Sequence, residues 1–165
     1  MKPIARFANS SDIEAIIGLW KRFMQEEKDA VPDARVGEVL DGWTQRLREQ
    51  VRTSKVIVAD IDGKTRGFLG FIDSTDRAWV PVGVAYVVDI YVAPEARRSR
   101  IALLLFRTLA GPTSKYTEIW TNTSVRNRRA QAFFAQAGFT PMEGFAIKGL
   151  EGQIYYRFSP TKAAP

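Results

Sequence analysis

The sequence predicts an α/β fold in which helices cover a mixed β-sheet. Three observations carry this prediction. Amphipathic helical patterns follow a short first strand, a hairpin signal lies near the middle of the chain, and the segment VGVAYVVDIYVAP is apolar nearly throughout. Such an apolar run is typical of a strand buried on both faces of a sheet. The predicted order of elements is β-α-α-β-β-β-α-β-α-β-β, with a central buried strand at about 83–93.

The first two predicted elements are the strand IARFA and a helix in SSDIEAIIGLWKRFMQEE. Ser11 and Glu14 have the spacing of a capping box at the start of this helix. Its apolar residues recur at i, i+3, i+4 and i+7, which places them on one face. They are Ile13, Ile16, Ile17, Trp20, Phe23 and Met24.

A second helix and a β-hairpin come next. The helix is predicted over 36–51, and its core-facing residues are Val39, Leu40, Trp43 and Leu47. In SKVIVADIDGKTRGFLGFID, two β-rich runs flank Asp62 and Gly63. This pair tolerates the positive φ of a tight turn, so the segment predicts a hairpin that leads to the central strand.

The last third of the chain alternates between strand and helix patterns. The helix RIALLLFRTLA is stopped by Gly111 and Pro112, and YTEIWTNTSV then reads as a strand. The helix RNRRAQAFFAQAG ends at Gly138, which fits a C-cap. The segment QIYYRF is the predicted last strand.

Composition limits the chemistry that is available. The chain has 165 residues, of which 45% are hydrophobic and 25% charged. This predicts one domain over 1–159, with a frayed tail at 160–165. The sequence contains no cysteine and no histidine, which excludes disulfides, thiolate nucleophiles, Ser-His and Cys-His catalysis and most zinc sites. We therefore expect no metal.

The net charge of +6 favours an anionic partner, either a nucleic acid or a phosphorylated small molecule. The N-terminal segment MKPIARFANSSD lacks the apolar core of a signal peptide, and no apolar run is long enough for a membrane span. We therefore expect a cytoplasmic protein without a membrane partner.

Three arginines, Arg97, Arg98 and Arg100, stand at the predicted start of a helix, in the segment YVAPEARRSRIALLLF. The helix dipole disfavours cations at this end. A bound anion would reverse the local sign, because the free N–H groups of the first turn bind phosphate oxygens and guanidinium groups pair with them. Arg97 to Ala102 therefore predicts a pyrophosphate site at the carboxyl end of the central strand. The alternative is a basic, solvated turn.

Two motifs give the chain a resemblance to the GNAT superfamily of acyl-CoA-dependent N-acyltransferases. In that family a central strand ending in V-x-P precedes a loop of the form Q/R-x-x-G-x-G/A, and here VVDIYVAP precedes RRSRIA. The second motif resembles N-x-x-A-x-x-F-Y-x-x-x-G-F. The residues that match it are Asn127, Ala130, Phe133, Gly138 and Phe139. The resemblance covers nearly the whole chain and implies a GNAT-like single domain.

The resemblance implies acetyl-CoA as a co-substrate and a set of residues that contact it. The backbone of the central strand would bind the pantetheine arm and polarise the thioester, the arginine loop would bind the pyrophosphate, and Asn127 would hold the arm by its amide. The implied residues are Ile90, Tyr91, Val92, Arg97, Arg98, Ser99, Arg100, Ile101, Ala102, Asn127, Phe133 and Phe134.

The chain departs from the family pattern at two positions. Arg100 stands where the family has glycine, and a Cβ there limits how closely the backbone approaches a phosphate. A helical φ is open to arginine, so we expect the loop to form. Phe134 stands where many members have the tyrosine inferred to protonate the leaving thiolate. The thiol has an ordinary pKa of about 8.5, so losing this acid slows the chemistry without forbidding it.

Asp89 is the one carboxylate in the apolar central run. Burying a carboxylate costs several kcal/mol unless it is paired or useful. A desolvated carboxylate gains basicity, which makes Asp89 a candidate general base. The alternative is that Asp89 faces solvent or pairs with an arginine.

The sequence gives less information about the residues that bind the amine acceptor. The segment EEKDAVPDARVGEVLD (26–41) is acidic, and in the family this region borders the acceptor cleft. This acidic segment would attract a cationic amine to the cleft. The alternative is that it is only a charged face in contact with solvent. The aromatic residues that line a cleft or belong to the core are Trp43, Trp79, Tyr86, Trp120 and Tyr155.

Three functions follow from these observations. The first is an N-acetyltransferase that moves an acetyl group from acetyl-CoA to a primary amine on a small molecule or peptide. The second is a catalytically weak or inactive CoA-binding or interaction module, which Arg100 and Phe134 favour. The third is a nucleic-acid-binding protein, suggested by the net charge and by Arg126, Arg128 and Arg129. Dimers are common in the family that the chain resembles, so a homodimer is one expectation.

Overall fold

The computed structural model describes residues 2–30 and 40–160, with the backbone alone at 27–30 and 40. The described strands are β1 (Ile4–Phe7), β2 (Val56–Ile61), β3 (Lys64–Ile72), β4 (Val84–Val92), β5 (Glu118–Ser124), β6 (Thr140–Pro141) and β7 (Gln153–Phe158). The helices are α1 (Ile13–Ala30), α2 (Leu40–Arg52), α3 (Ile101–Leu109) and α4 (Arg128–Gln136). The predicted order of elements is confirmed.

The chain forms two compact units, and strand β4 contributes to both. The first unit comprises Met1–Phe71 and Asp89–Gly111, and the second comprises Ile72–Val88 and Pro112–Pro165. The strand order is β1-β2-β3-β4 in the first unit and β4-β5-β7-β6 in the second. Strands β4 and β5 run parallel, whereas β1, β2 and β3 pair antiparallel, so the seven-stranded sheet is mixed as predicted. The predicted domain end at 159 stays a prediction, because 161–165 lie outside the described residues.

The start of α1 differs from the prediction. The capping box is formed by Asn9 and Asp12 across a short 3₁₀ turn, not by Ser11 and Glu14. The Asn9 Oδ1 atom accepts from the Ser11 N–H at 2.9 Å, and Asp12 Oδ2 accepts from the Asn9 N–H at 2.8 Å. Arg6 on β1 donates to both oxygens of Asp12, at 2.7 and 2.9 Å. This ion pair with a neighbouring strand favours the earlier cap over the one that local spacing suggests.

The core of the first unit lies between the sheet and helices α1 and α2. Trp20 on α1 and Trp43 on α2 stack with their ring centroids 4.4 Å apart, and both are buried. Phe68 on β3 meets the Trp43 ring edge-on at 6.3 Å. Val39 lies outside the described residues, as does the Leu40 side chain, so their predicted core positions stay predictions.

The hairpin between β2 and β3 turns at Asp62 and Gly63, with φ values of 53° and 70°. Both residues adopt the left-handed conformation of a tight hairpin turn, which confirms that prediction. Further along β3, a Cβ at Gly67 would lie 3.0 Å from the Tyr91 carbonyl oxygen and from the Ile101 Cγ2 atom. Gly67 therefore permits the close approach of β3 to β4 and to the start of α3.

The second unit has its own core beside β4 and β7. Val84, Tyr86 and Tyr155 are buried there. Helix α4 ends at Gln136 with Ala137 as its C-cap, and Gly138 follows with a φ of 87°, the left-handed residue that the sequence predicted at this helix end. Across the described ranges 2–30 and 40–160, no helix combines the length and apolar character needed to cross a membrane.

Candidate active site

The loop between β4 and α3 turns tightly around Pro94. Residues Pro94–Ala96 form a 3₁₀ turn, and α3 begins at Ile101 with Arg100 as its N-cap. Arg100 makes no side-chain cap hydrogen bond. The first N–H groups of a helix have no intrahelical partner. The start of α3 therefore presents backbone donors that no capping side chain occupies.

Arg100 adopts φ 60° and ψ 19°, which is the left-handed conformation. The loop forms, although not through the helical φ that is also open to arginine. The chain makes the turn that a glycine would make, although arginine carries a Cβ. Left-handed backbone costs a residue with a Cβ about 1–2 kcal/mol, so the loop is strained at this position.

Arg100→Gly should therefore raise the free energy of unfolding by up to about 1.5 kcal/mol. The relief of about 1–2 kcal/mol exceeds the extra chain entropy of glycine, about 0.5–1 kcal/mol. Urea denaturation measures the change. Arg98→Gly is the matched control, because Arg98 has no positive φ and should only lose stability. Equal destabilisation by both substitutions would contradict strain at Arg100.

Arg97 points to protein groups. Its Nε–H donates to the Val92 carbonyl oxygen at 2.9 Å, its Nη2 pairs with the Glu26 carboxylate, and its guanidinium lies 5.5 Å from the Tyr91 ring centroid. The Tyr91 hydroxyl donates to Glu26 Oε1 at 2.6 Å. Burial, followed by the hydrogen bond to Glu26, raises the pKa of Tyr91 to about 12. Glu26 therefore balances the charge of the first arginine of the loop.

A second set of ion pairs holds the loop from the other side. Glu95 accepts two hydrogen bonds from Arg22 on α1, at 3.2 and 2.8 Å, and one from Arg66 on β3 at 2.8 Å. The hydrogen bond from Arg22 is the largest cause that lowers the pKa of Glu95 to about 2. These contacts join α1 and β3 to the loop. Arg98 and Arg100 are exposed, so these two side chains have access to solvent and to solutes.

Asp89 lies on β4 with its carboxylate covered by α2. Its side chain is 12% exposed. Its Oδ2 accepts from the Trp43 Nε1–H at 3.2 Å and lies 3.5 Å from Arg46 Nη2. Burial raises the pKa of Asp89, and the charge of Arg46 and the hydrogen bond from Trp43 oppose this rise. The carboxylate is therefore both desolvated and next to an arginine, and its role as a general base stays a prediction.

Sequence reasoning did not connect Arg46 or Gln50 to this carboxylate. Both follow Trp43 at helical spacings of three and seven residues, which places all three on one face of α2. The Gln50 Nε2–H donates to the Phe71 carbonyl oxygen at 3.0 Å. The helical spacing was a usable signal, but it does not reveal which strand the face covers.

Gly70 on β3 leaves a space beside Asp89. A Cβ at this position would lie 3.9 Å from Asp89 Oδ2 and 3.9 Å from both Gln50 amide atoms. These are ordinary contact distances, so a methyl group would fit without strain. Asp89 Oδ2 and both amide atoms of Gln50, the acceptor Oε1 and the donor Nε2, thus face a gap of about the size of a methyl group.

The other predicted cofactor residues lie in the second unit. Asn127 caps α4, because its Oδ1 accepts from the Ala130 N–H at 3.0 Å. Phe134 is buried, and its ring packs against Phe139 and Tyr156 at 5.3 and 5.1 Å. Phe134 is thus a core residue. The implied contacts of Asn127, Phe133 and Phe134 with acetyl-CoA stay predictions.

The structure brings the remaining implied residues together in the first unit. They are Ile90, Tyr91, Val92, Arg97, Arg98, Ser99, Arg100, Ile101 and Ala102, along with the candidate base Asp89. In the part of the chain that is described, no group of three or more acidic side chains is arranged to hold a metal ion. Most of the acidic segment 26–41 lies outside the described side chains, so its role at an acceptor cleft stays a prediction.

The predicted aromatic and basic clusters have different exposures. Trp43, Tyr86 and Tyr155 are buried core residues, whereas Trp79 is exposed. The basic residues at the start of α4 are also exposed. They are Arg126, Arg128 and Arg129. Their suggested binding of nucleic acid stays a prediction.

The model of the acetyltransferase (GNAT) family matches residues 15–139. The chain belongs to this family. The predicted resemblance to the GNAT family is confirmed, and so is the predicted α/β fold. The family is one of acetyltransferases. No curated protein sequence matches the chain significantly.

Solved structures of GNAT proteins share the fold at low sequence identity. PaiA N-acetyltransferase from Thermoplasma acidophilum, in complex with coenzyme A, is 16% identical, with a TM-score of 0.72 over 96% of this chain and 99% of that chain. A GNAT acetyltransferase from Streptococcus agalactiae is 14% identical, with a TM-score of 0.75 over 95% of both chains. YncA from Salmonella typhimurium, with its cofactor acetyl-CoA, is 16% identical, with a TM-score of 0.68 over 100% of this chain and 98% of that chain.

Proposed function

We propose that this GNAT protein is an N-acetyltransferase that moves an acetyl group from acetyl-CoA to a primary amine. One arrangement in the first unit carries the proposal. Strand β4 presents the buried carboxylate of Asp89, and the loop that follows β4 leads to the start of α3, which no side chain caps. A proton acceptor and an anion site are the two groups that acyl transfer from a phosphorylated thioester to an amine requires.

The arginine loop fits a pyrophosphate. The first N–H groups of α3 point along the helix axis and carry partial positive charge. Exposed Arg98 and Arg100 add two cations beside them, whereas Arg97 is held by Glu26 and Val92. We propose that the N–H groups from Ile101 and Ala102, with Arg98 and Arg100, bind the diphosphate. Arg97 then fixes the loop more than it contacts the ligand.

Acetyl-CoA supplies an acetyl group on a thioester, whose carbonyl carbon accepts the amine. The backbone of Ile90 to Val92 at the end of β4 is proposed to bind the pantetheine arm and to polarise the thioester carbonyl by an N–H group. Asp89 is proposed to take the proton that the amine loses as the new C–N bond forms and the thioester C–S bond breaks, and coenzyme A leaves as a thiolate that takes a proton from water. A carboxylate with a raised pKa is a stronger base, so its environment suits this role.

A second candidate function is a CoA-binding module with weak or no catalysis. Two observations favour it. Phe134 has no hydroxyl to protonate a leaving thiolate and is packed in the core of the second unit. Arg100 occupies a strained left-handed position where glycine would let the backbone approach a phosphate more closely.

Calorimetric titration with acetyl-CoA, followed by turnover assays on a panel of amines, separates these functions. The proposed enzyme binds acetyl-CoA and releases free CoA faster in the presence of an amine. Binding without amine-dependent release would identify the module. Absence of binding at high protein concentration would refute both.

A further inference from the structure

The surroundings of Asp89 also bear on which amine the protein accepts. The carboxylate of Asp89 and the guanidinium of Arg46 lie close together there, but their side chains differ in exposure to solvent. The Asp89 side chain is 12% exposed, whereas that of Arg46 is 49% exposed, and the closest N–O distance between them is 3.5 Å. The carboxylate therefore lies at the bottom of this part of the site and the guanidinium lies nearer solvent.

The contact between Arg46 and Asp89 leaves both side chains able to form further hydrogen bonds. It joins one guanidinium nitrogen to one carboxylate oxygen at a distance longer than a direct hydrogen bond. A guanidinium has five N–H donors in a planar fork that matches a carboxylate. Half of the Arg46 side chain is open to solvent, so a second carboxylate has access to this fork.

We propose that Arg46 determines acceptor specificity, and that the acceptor is an α-amino acid whose amine lies against Asp89 and whose carboxylate pairs with Arg46. This rests on the proposed acetyltransferase function. The amine and carboxylate of an α-amino acid are joined through one carbon, so they can contact two protein groups as close as these. An acceptor with further cationic groups would be repelled by Arg46, which disfavours polyamines and aminoglycosides.

The gap beside Gly70 is where the amine of the acceptor is proposed to bind. Asp89 Oδ2 and Gln50 Oε1, which accept hydrogen bonds, face it together with Gln50 Nε2, which donates to the Phe71 carbonyl oxygen. An amine carries several N–H donors and can use both acceptors. When the acceptor carboxylate binds Arg46, it neutralises the cation that otherwise stabilises ionised Asp89. Acceptor binding thus makes Asp89 more basic at the moment when a proton has to be removed.

A purely structural role for Arg46 is the competing explanation, in which the guanidinium only balances the charge of Asp89. The two explanations differ in substrate preference. A structural role predicts that losing Arg46 affects every acceptor alike. A recognition role predicts that only acceptors with a carboxylate are affected.

The test compares free amino acids with their amides, using glycine, L-leucine, L-phenylalanine and the corresponding amides at saturating acetyl-CoA. The wild-type protein is expected to favour the free amino acids by at least tenfold in kcat/KM. Arg46→Gln is expected to bring this ratio close to one, mainly through the KM of the free amino acids. Arg46→Lys keeps the charge without the planar fork and is expected to give an intermediate ratio.

Arg48→Gln is the matched control, because Arg48 is an exposed arginine on the same helix and its loss changes the net charge equally. It is expected to leave the ratio unchanged. Thermal unfolding of each variant checks that it is folded. A wild-type ratio near one or in favour of the amides would overturn the inference, as would an equal loss on all acceptors in Arg46→Gln.

Failure of the proposed function has a different signature. If the wild-type protein binds no acetyl-CoA by calorimetry, the acetyltransferase proposal fails and this inference fails with it. If the protein binds acetyl-CoA and acetylates other amines but none of the free amino acids, the acetyltransferase proposal stands and the specificity inference alone is refuted.

Discussion

Asp89→Asn is expected to lower kcat/KM for amine acetylation by about 10²–10⁴-fold, the usual range for losing a general base. Asparagine keeps the size of the side chain and can still accept from Trp43, but it cannot take a proton. Acetyl-CoA is expected to bind with unchanged affinity, because the proposed phosphate contacts lie beyond the end of β4. Steady-state kinetics and calorimetric titration measure the two quantities separately.

The pH dependence of the wild-type enzyme follows from the direction of the Asp89 pKa shift. Burial raises this pKa, so Asp89 becomes protonated at a higher pH than an ordinary carboxyl group. A general base works only when it is unprotonated. Activity is therefore expected to fall as the pH drops through the raised pKa, above the ordinary carboxyl range. This acidic limb should be missing from the residual activity of Asp89→Asn.

Stability provides an independent check on the same variant. A carboxyl group with a raised folded-state pKa favours folding at low pH, and this contribution is lost as the pH rises through that pKa. Ionised Asp89 therefore opposes folding at neutral pH, although Arg46 reduces the penalty. Asp89→Asn is expected to unfold at a temperature no lower than the wild type. Activity loss without stability loss identifies a functional group.

Asp62→Asn is the control for charge, since Asp62 is an exposed aspartate in the turn between β2 and β3 and asparagine also tolerates its positive φ. It should leave both the rate and the pH profile unchanged. A wild-type pH profile in Asp89→Asn would remove Asp89 from the mechanism and leave it as a partner of Arg46 and Trp43.

Local signals in the sequence were sufficient for the order of the elements. The apolar run of β4, the turn at Asp62 and Gly63 and the helix end at Gly138 each depend on neighbouring residues alone. Backbone conformation and side-chain periodicity follow directly from such patterns. Features that depend on long-range contacts were not predicted from the sequence. The cap of α1, for example, depends on Arg6 from a neighbouring strand.

Contacts between residues that are distant in the sequence limited the prediction of the site even more than that of the fold. The sequence indicated Asp89 as a buried carboxylate, but its partners Trp43 and Arg46 are more than forty residues away. Arg97 was predicted as a phosphate ligand from its position in a motif, yet Glu26 holds it across an even longer separation. Motifs indicate which residues share a site. They do not indicate which charges are already balanced within it.

Ala102→Glu is expected to weaken acetyl-CoA binding by about 100-fold without destabilising the free protein. Ala102 lies in the first turn of α3. A carboxylate there interacts favourably with the helix dipole, by about 0.3–1 kcal/mol, so the apo protein should be as stable as the wild type or more so. The same carboxylate competes with a phosphate for the free N–H groups. Two like charges about 6 Å apart at an effective dielectric constant of about 20 repel by about 3 kcal/mol, which corresponds to about 100-fold.

Ala102→Gln provides the matched control, because glutamine has the same length as glutamate but no charge. Calorimetry measures acetyl-CoA affinity, and thermal unfolding measures stability, for both variants. Glutamine alone is expected to weaken binding only modestly through its bulk. If the two variants bind acetyl-CoA equally well, charge at the start of α3 does not matter and the phosphate must lie elsewhere. Opposite effects of one carboxylate on folding and on binding would, by contrast, be difficult to explain unless an anion binds this helix end.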